Sequence, residues 1–174
     1  MAGYVIHLAI GEEFIRLHPD EVKDYDAFIE GIIAPDGVAD KSLTHYGPRS
    51  SMVNLKSFFE ERDIKKDFDK GYFLHLVTDY LFYNKFLEKF SKKGIHEEYD
   101  VINAELENEF KVKIPKKIKD RVFYKEGKTE ILDLQNIIKF IKDVAKYDLE
   151  EIKTAVINGD ENRLKIRSLD EIRI

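Results

Sequence analysis

Two residues in the run Gly71-Tyr-Phe-Leu-His75-Leu-Val-Thr-Asp79-Tyr-Leu-Phe-Tyr83 stand out from their apolar neighbours. His75 and Asp79 are four positions apart, so on a helix they project from one face. Burying such groups without partners costs several kcal/mol, so something must satisfy them. A metal ion would do so, and so would a plain His–Asp hydrogen bond. His7 has a similar setting among Val5, Ile6, Leu8 and Ile10. Both histidines have a glycine one turn away, Gly11 and Gly71. Each glycine leaves room for an ion, a water or a neighbouring helix.

Two further candidates come from a stretch rich in turn residues. Asp36 lies in Ala34-Pro-Asp-Gly37 and His45 in Leu43-Thr-His-Tyr-Gly-Pro48. Singly, the first is an ordinary Pro-Asp-Gly turn and the second a loop histidine. Together, His7, Asp36, His45, His75 and Asp79 offer imidazoles and hard oxygens suited to zinc, iron, manganese, nickel or cobalt. The chain has no cysteine, so thiolate sites and disulfides are excluded.

These residues must be carried by helices. Helical periodicity predicts segments over 3–17 and 24–33, a long loop over 35–53, and a short helix capped by Asn54 and running to Arg62. The longest predicted helix runs from Asp67 or Phe68 to about Phe90 and is broken before Gly94. Further helices are predicted over 97–111, after Pro115, over 131–147 and over 149–157. The fold class is therefore all-α, a single-domain multi-helix bundle over residues 1–159, with a charged C-terminal tail over 160–174 lying loosely on the surface. Long loops in compact domains tend to be functional, which draws attention to residues 35–53.

Composition sets limits. The 174 residues are 43% hydrophobic, and 29 basic residues against 34 acidic ones leave a net charge of −5. That balance argues against a general nucleic-acid footprint. The N-terminus lacks the pattern of a signal peptide, and no window is long and apolar enough to span a membrane. A cytoplasmic protein without membrane insertion is expected. Lys113, Lys116, Lys117, Lys119 and Arg121 form a local basic cluster, read either as a solvated face or as one that meets phosphate.

The phrases Tyr4-Val-Ile-His7-Leu-Ala-Ile-Gly11, Phe28-Ile-Glu-Gly-Ile-Ile-Ala-Pro-Asp36, Thr44-His45-Tyr-Gly47 and Gly71-Tyr-Phe-Leu-His75-Leu-Val-Thr-Asp79 resemble the zinc-dependent phospholipase C family in residue order and local context. The resemblance covers about residues 4–90. It implies an all-α, phospholipase C-like fold holding a cluster of zinc ions that activate water against a phosphodiester. It also implies that Asp36, His45, His75 and Asp79 share one metal, and that His7 joins a second one bridged by Asp79. Asp36 is then the candidate to orient or deprotonate the water, with Tyr46, Tyr72 or Tyr83 serving substrate or ligands. The sequence departs from the family in lacking its N-terminal Trp ligand and its downstream third-metal histidines and HxxxE. Only His96, paired with Asp100, lies downstream, and a solvated first helical turn accounts for it.

The leading expectation is a metal-dependent phosphoesterase using one or two ions, zinc or a similar divalent metal, on a small phosphate ester. The alternatives are a helical metal-binding or interaction protein without turnover, and a nucleotide phosphohydrolase of the HD-domain kind. The chain has no adjacent His-Asp dipeptide to support the last.

Overall fold

The computed structural model describes residues 2–87 and 94–170. Among them no residue is in a strand, and eight α-helices are joined by short 3-10 turns in one compact domain. They are α1 (Tyr4–Leu17), α2 (Tyr25–Ile33), α3 (Leu55–Glu61), α4 (Asp67–Leu81), α5 (Ile95–Phe110), α6 (Leu134–Ala145), α7 (Leu149–Ile157) and α8 (Arg167–Asp170). No helix among the described residues is long and apolar enough to cross a membrane.

Four of the eight α-helix starts follow a single rule: a short polar side chain accepts from the orphan N–H groups of the first turn. Asp24 accepts from Ala27 N, Asn54 from Ser57 N, Asp133 from Asn136 N, and Asp148 from both Glu150 N and Glu151 N. Asp133 places the start of α6 at Leu134, three residues after the periodic expectation. The segment after Pro115 is a 3-10 turn, Lys116–Arg121, rather than an α-helix.

Helix α4 runs on into a π-helical turn at Phe82–Phe86, in which Leu87 N donates to Phe82 O (2.8 Å). The expected continuation to Phe90 passes outside the described residues.

The most extensive helix contact is between α2 and α4. It is a backbone contact. A side chain on Gly71 would overlap the carbonyl of Phe28, and one on Gly31 would overlap the carbonyl of Phe68. Only glycine allows main chains to approach this closely. The small residues beside the histidines thus make room for a neighbouring helix rather than for an ion, and Gly11 likewise faces the Ile32 side chain.

Over residues 160–170 the C-terminal segment is docked rather than loose, and residues 171–174 of the expected tail lie outside the described residues. Leu164 and Ile166 are buried, the Tyr147 hydroxyl donates to Lys165 O (2.9 Å), and Ser168 N and Oγ donate to Asp143 Oδ2. Two apolar side chains at an i, i+2 spacing were hidden by the surrounding charges. His18 is the C-cap of α1. It is half-buried, packs on Phe14, and donates from Nε2 to Ala145 O (2.9 Å), tying the end of α1 to the end of α6.

Candidate metal centre

All five predicted ligands converge, and all five side chains are fully buried. His7 comes from the second turn of α1. Asp36 sits in the 3-10 turn Ala34–Gly37 that closes α2, where Pro35 presets the backbone. His45 follows the turn Lys41–Leu43, and His75 and Asp79 lie on the inner face of α4.

The close approach at Gly71 brings Ile32 O within 2.7 Å of His75 Nδ1. A carbonyl can only accept, so His75 carries its proton on Nδ1 and turns the Nε2 lone pair inward. His45 is set the same way. The Thr44 hydroxyl donates to Pro35 O (2.8 Å), which leaves its oxygen to accept from His45 Nδ1–H (2.9 Å). Both rings therefore present Nε2 lone pairs to two carboxylates. Partners on the outer nitrogen that fix the tautomer in this way are the usual support for imidazole ligands.

Lone pairs facing carboxylate oxygens repel unless a proton or a metal cation lies between them. The distances fit the metal cation. His45 Nε2 lies 3.1 Å from Asp79 Oδ2 and 3.6 Å from Asp36 Oδ1; His75 Nε2 lies 3.4 Å from Asp79 Oδ2 and 3.6 Å from Asp36 Oδ2. Ligand atoms about 2.0–2.2 Å from a zinc-class ion stand about 3.3–3.6 Å apart in a tetrahedron. The four donor atoms lie within 4.8 Å of one another, so this group could hold a metal ion.

Protons alone satisfy the cluster poorly. Charge-assisted N–H···O bonds shorten to about 2.7–2.9 Å. Here both oxygens of Asp36, both nitrogens of His7 and Nε2 of His75 are buried without a hydrogen bond, and one other buried side-chain atom among the described residues shares that condition. Buried polar groups are rarely left so; the two nitrogens of His7 point in different directions, so at most four of these five atoms can share one central partner.

His7 stands apart from the four-atom group. Its ring stacks on His75 with centroids 3.6 Å apart and planes within 6°, and its Nε2 lies 3.2 Å from Asp79 Oδ1, against 3.9 Å from Asp36 Oδ2. Asp79 thus divides its oxygens. Oδ2 faces His45 and His75, while Oδ1 faces His7 and accepts from Ala2 N (3.1 Å). Burial, and then the neighbouring His75, push the His7 pKa down. Burial would push Asp79 up, but the three imidazoles outweigh it and hold that carboxyl well below the usual range. Burial disfavours charge on His75 too, and there Asp36, Asp79 and the Ile32 carbonyl prevail and raise it.

Several supporting residues carry no sequence signal of their own. Lys41 Nζ lies 3.4 Å from Asp36 Oδ1 and donates to the carbonyls of Asp36 (3.0 Å) and Val38 (2.7 Å). Among the described residues it is the one ammonium within 4 Å of either carboxylate. The Tyr4 hydroxyl donates to Asp36 O (3.0 Å). Of the tyrosines singled out from sequence, Tyr72 donates to Thr44 O (2.7 Å) and so braces the His45 loop. Tyr46 packs on Phe58 and Tyr72 instead. Tyr83 is pushed up by burial and by the charges of Asp79 and Asp36. His96 and Asp100 lie outside the cluster, on the exposed start of α5, where His96 packs edge-on against Tyr99.

No family model, curated protein or solved structure matches the chain.

Proposed function

We propose that the chain is a metal-dependent hydrolase of phosphoric esters, in which Asp36, His45, His75 and Asp79 hold one divalent ion and His7, across Asp79, faces a second position. The observation that carries this reading is the buried group Asp36, His45, His75 and Asp79, whose ligand atoms lie within 4.8 Å of one another while both Asp36 oxygens and His75 Nε2 lack a hydrogen bond. The donor chemistry favours it as well. Closed structural zinc sites are mostly built with cysteine, whereas imidazole–carboxylate sets recur in hydrolytic centres. The resemblance to zinc-dependent phospholipase C assigns the same residues to the same roles and puts zinc ahead of iron, manganese or nickel.

Bound there, a divalent ion supplies an acidified water and neutralises phosphoryl oxygen charge. Asp36 is the residue assigned to orient that water or take its proton, because neither of its oxygens is held by a hydrogen bond. Asp79, with one oxygen towards each side, is suited to bridge two cations, which an imidazole cannot do through a single nitrogen. The outer partners of His45 and His75 keep their lone pairs aimed.

A second reading has one observation in its favour. The five side chains are wholly buried, as in a binding protein of the same fold without turnover.

Metal analysis of the native protein should find roughly one or two ions per chain, and His75→Ala and Asp79→Ala should lose them. The metal-loaded protein is then offered bis(4-nitrophenyl) phosphate and 4-nitrophenyl phosphate. Turnover that disappears in Asp36→Asn supports the hydrolase. Metal retention with complete inertness leaves the binder. A native protein free of metal, with a melting temperature unmoved by chelator, sinks both.

A further inference from the structure

A cavity of about 240 Å³ is lined in part by the start of α1, the helix that carries His7. Gly3, Tyr4, His96, Tyr99, Asp100 and Arg121 are among the residues lining it. One of these lining residues touches the turn that carries Asp36, since the Tyr4 hydroxyl donates to Asp36 O.

Arg121 ends the basic run of residues 113–121, and the structure separates that run into different parts. Lys117 is paired with Glu30 on α2. Arg121 turns instead to the cavity, where Nη1 donates to the Tyr4 hydroxyl (3.3 Å), and among the described residues it has no carboxylate within 4 Å. A guanidinium carries five N–H donors in a planar fork, and one of them is used here. Such a fork matches two oxygens of a phosphoryl group.

We propose that Arg121 binds the phosphoryl group of a small phosphate ester in this cavity, beside the metal centre. The proposal deepens the hydrolase reading and rests on it for the reaction, though not for the binding of the anion. The volume suits a small molecule, being below the range of drug-sized pockets. Asp100, in the same lining, disfavours polyanions and offers an acceptor to a hydroxyl of the alcohol portion. The contact from Arg121 through Tyr4 to the Asp36 carbonyl links an occupied cavity to the turn that carries Asp36.

The test is calorimetric titration of inorganic phosphate into the full chain, both metal-loaded and chelator-treated, for wild type, Arg121→Ala and Arg121→Lys. Wild type should bind with a Kd roughly in the millimolar range. Arg121→Ala should weaken binding about tenfold or more, and Arg121→Lys by less, because an ammonium keeps the charge without the fork. Metal content should be the same in all three. Equal affinities in wild type and variants would overturn the proposal, as would a wild type that binds no phosphate. Should Arg121→Ala fail to fold, the Lys variant decides, and unchanged affinity there overturns it. Phosphate binding that depends on Arg121 in a chain that takes up no metal would sustain the anion site and reject the hydrolase. Metal uptake with phosphate affinity indifferent to residue 121 would do the reverse.

Discussion

Helices α4 and α6 are both central, and they are buried in different ways. In α6 the buried residues Ile137, Phe140, Ile141, Val144 and Ala145 form one stripe, and the rest of the helix meets solvent. In α4 the whole run Gly71–Asp79 is buried, polar and apolar residues alike. A helix with one wet face can send its polar groups to water. One enclosed all round must satisfy them inside: His75 Nδ1 donates to Ile32 O of α2, the Thr78 hydroxyl to Leu74 O of its own helix, and Asp79 Oδ1 accepts from Ala2 N. The first helix is stabilised by apolar packing along one face, with its polar bonds at its two ends. The second combines packing with a polar cluster whose members are held in place by backbone contact.

Substitutions can break this contrast. The largest effect is expected on the α6 side. Phe140 is fully buried against Phe82 and Phe86, and Phe140→Ala should cost about 3–5 kcal/mol. Denaturant unfolding would measure that loss, while metal content per folded chain stays unchanged; a fall in metal would mean that the two helices are not separable in this way. Gly71→Ala comes next, at about 3 kcal/mol, since the new methyl must push α2 off α4. Unlike the α6 change it should lower stability and metal content together, because Ile32 O would leave His75. Retention of full metal content would show that the helix contact does not set the site.

The smallest effect tests the α5 side by pH. Glu98 accepts from the N–H groups of Glu130, Ile131 and Leu132 just before α6. Partial burial works against its charge, but these three donors outweigh it and hold its carboxyl below the usual value. A depressed carboxyl contributes stability that is present above its unfolded pKa, about 4.3, and is lost as pH falls through the folded value. Glu98→Gln should therefore cost about 1 kcal/mol at pH 7 and progressively less below about pH 4. Thermal melts across that range check it, and a constant difference would remove the charge from the explanation.

The same contrast explains what could be read from the chain. The stripe of α6, the cap Asn54 and the bounds of α2 and α7 are local signals, and periodicity and cap chemistry place them to within a residue or a few. The gathering of His7, Asp36, His45, His75 and Asp79 was legible because five polar residues in apolar or turn-rich settings have few other uses. What fixes their orientation was not. The carbonyls of Ile32 and Pro35 have no signature in side-chain type, and Lys41 looks like any surface lysine until the turn at Asp36 is folded. Gly31 reads as a helix-weakening residue, and its reason lies on another helix, at Phe68.

The contact at Gly31 and Gly71 also bears on how the protein tolerates change. Where two helices meet through side chains, their spacing follows the size of those side chains, and ordinary exchanges among Val, Ile and Leu shift it by fractions of an ångström. At this crossing no side chain intervenes. The span from the turn carrying Asp36 to the face carrying His75 and Asp79 is gauged by main chain against main chain. Apolar positions elsewhere are thus free to drift while the ligand spacing stays put, and the two glycines are where that freedom ends.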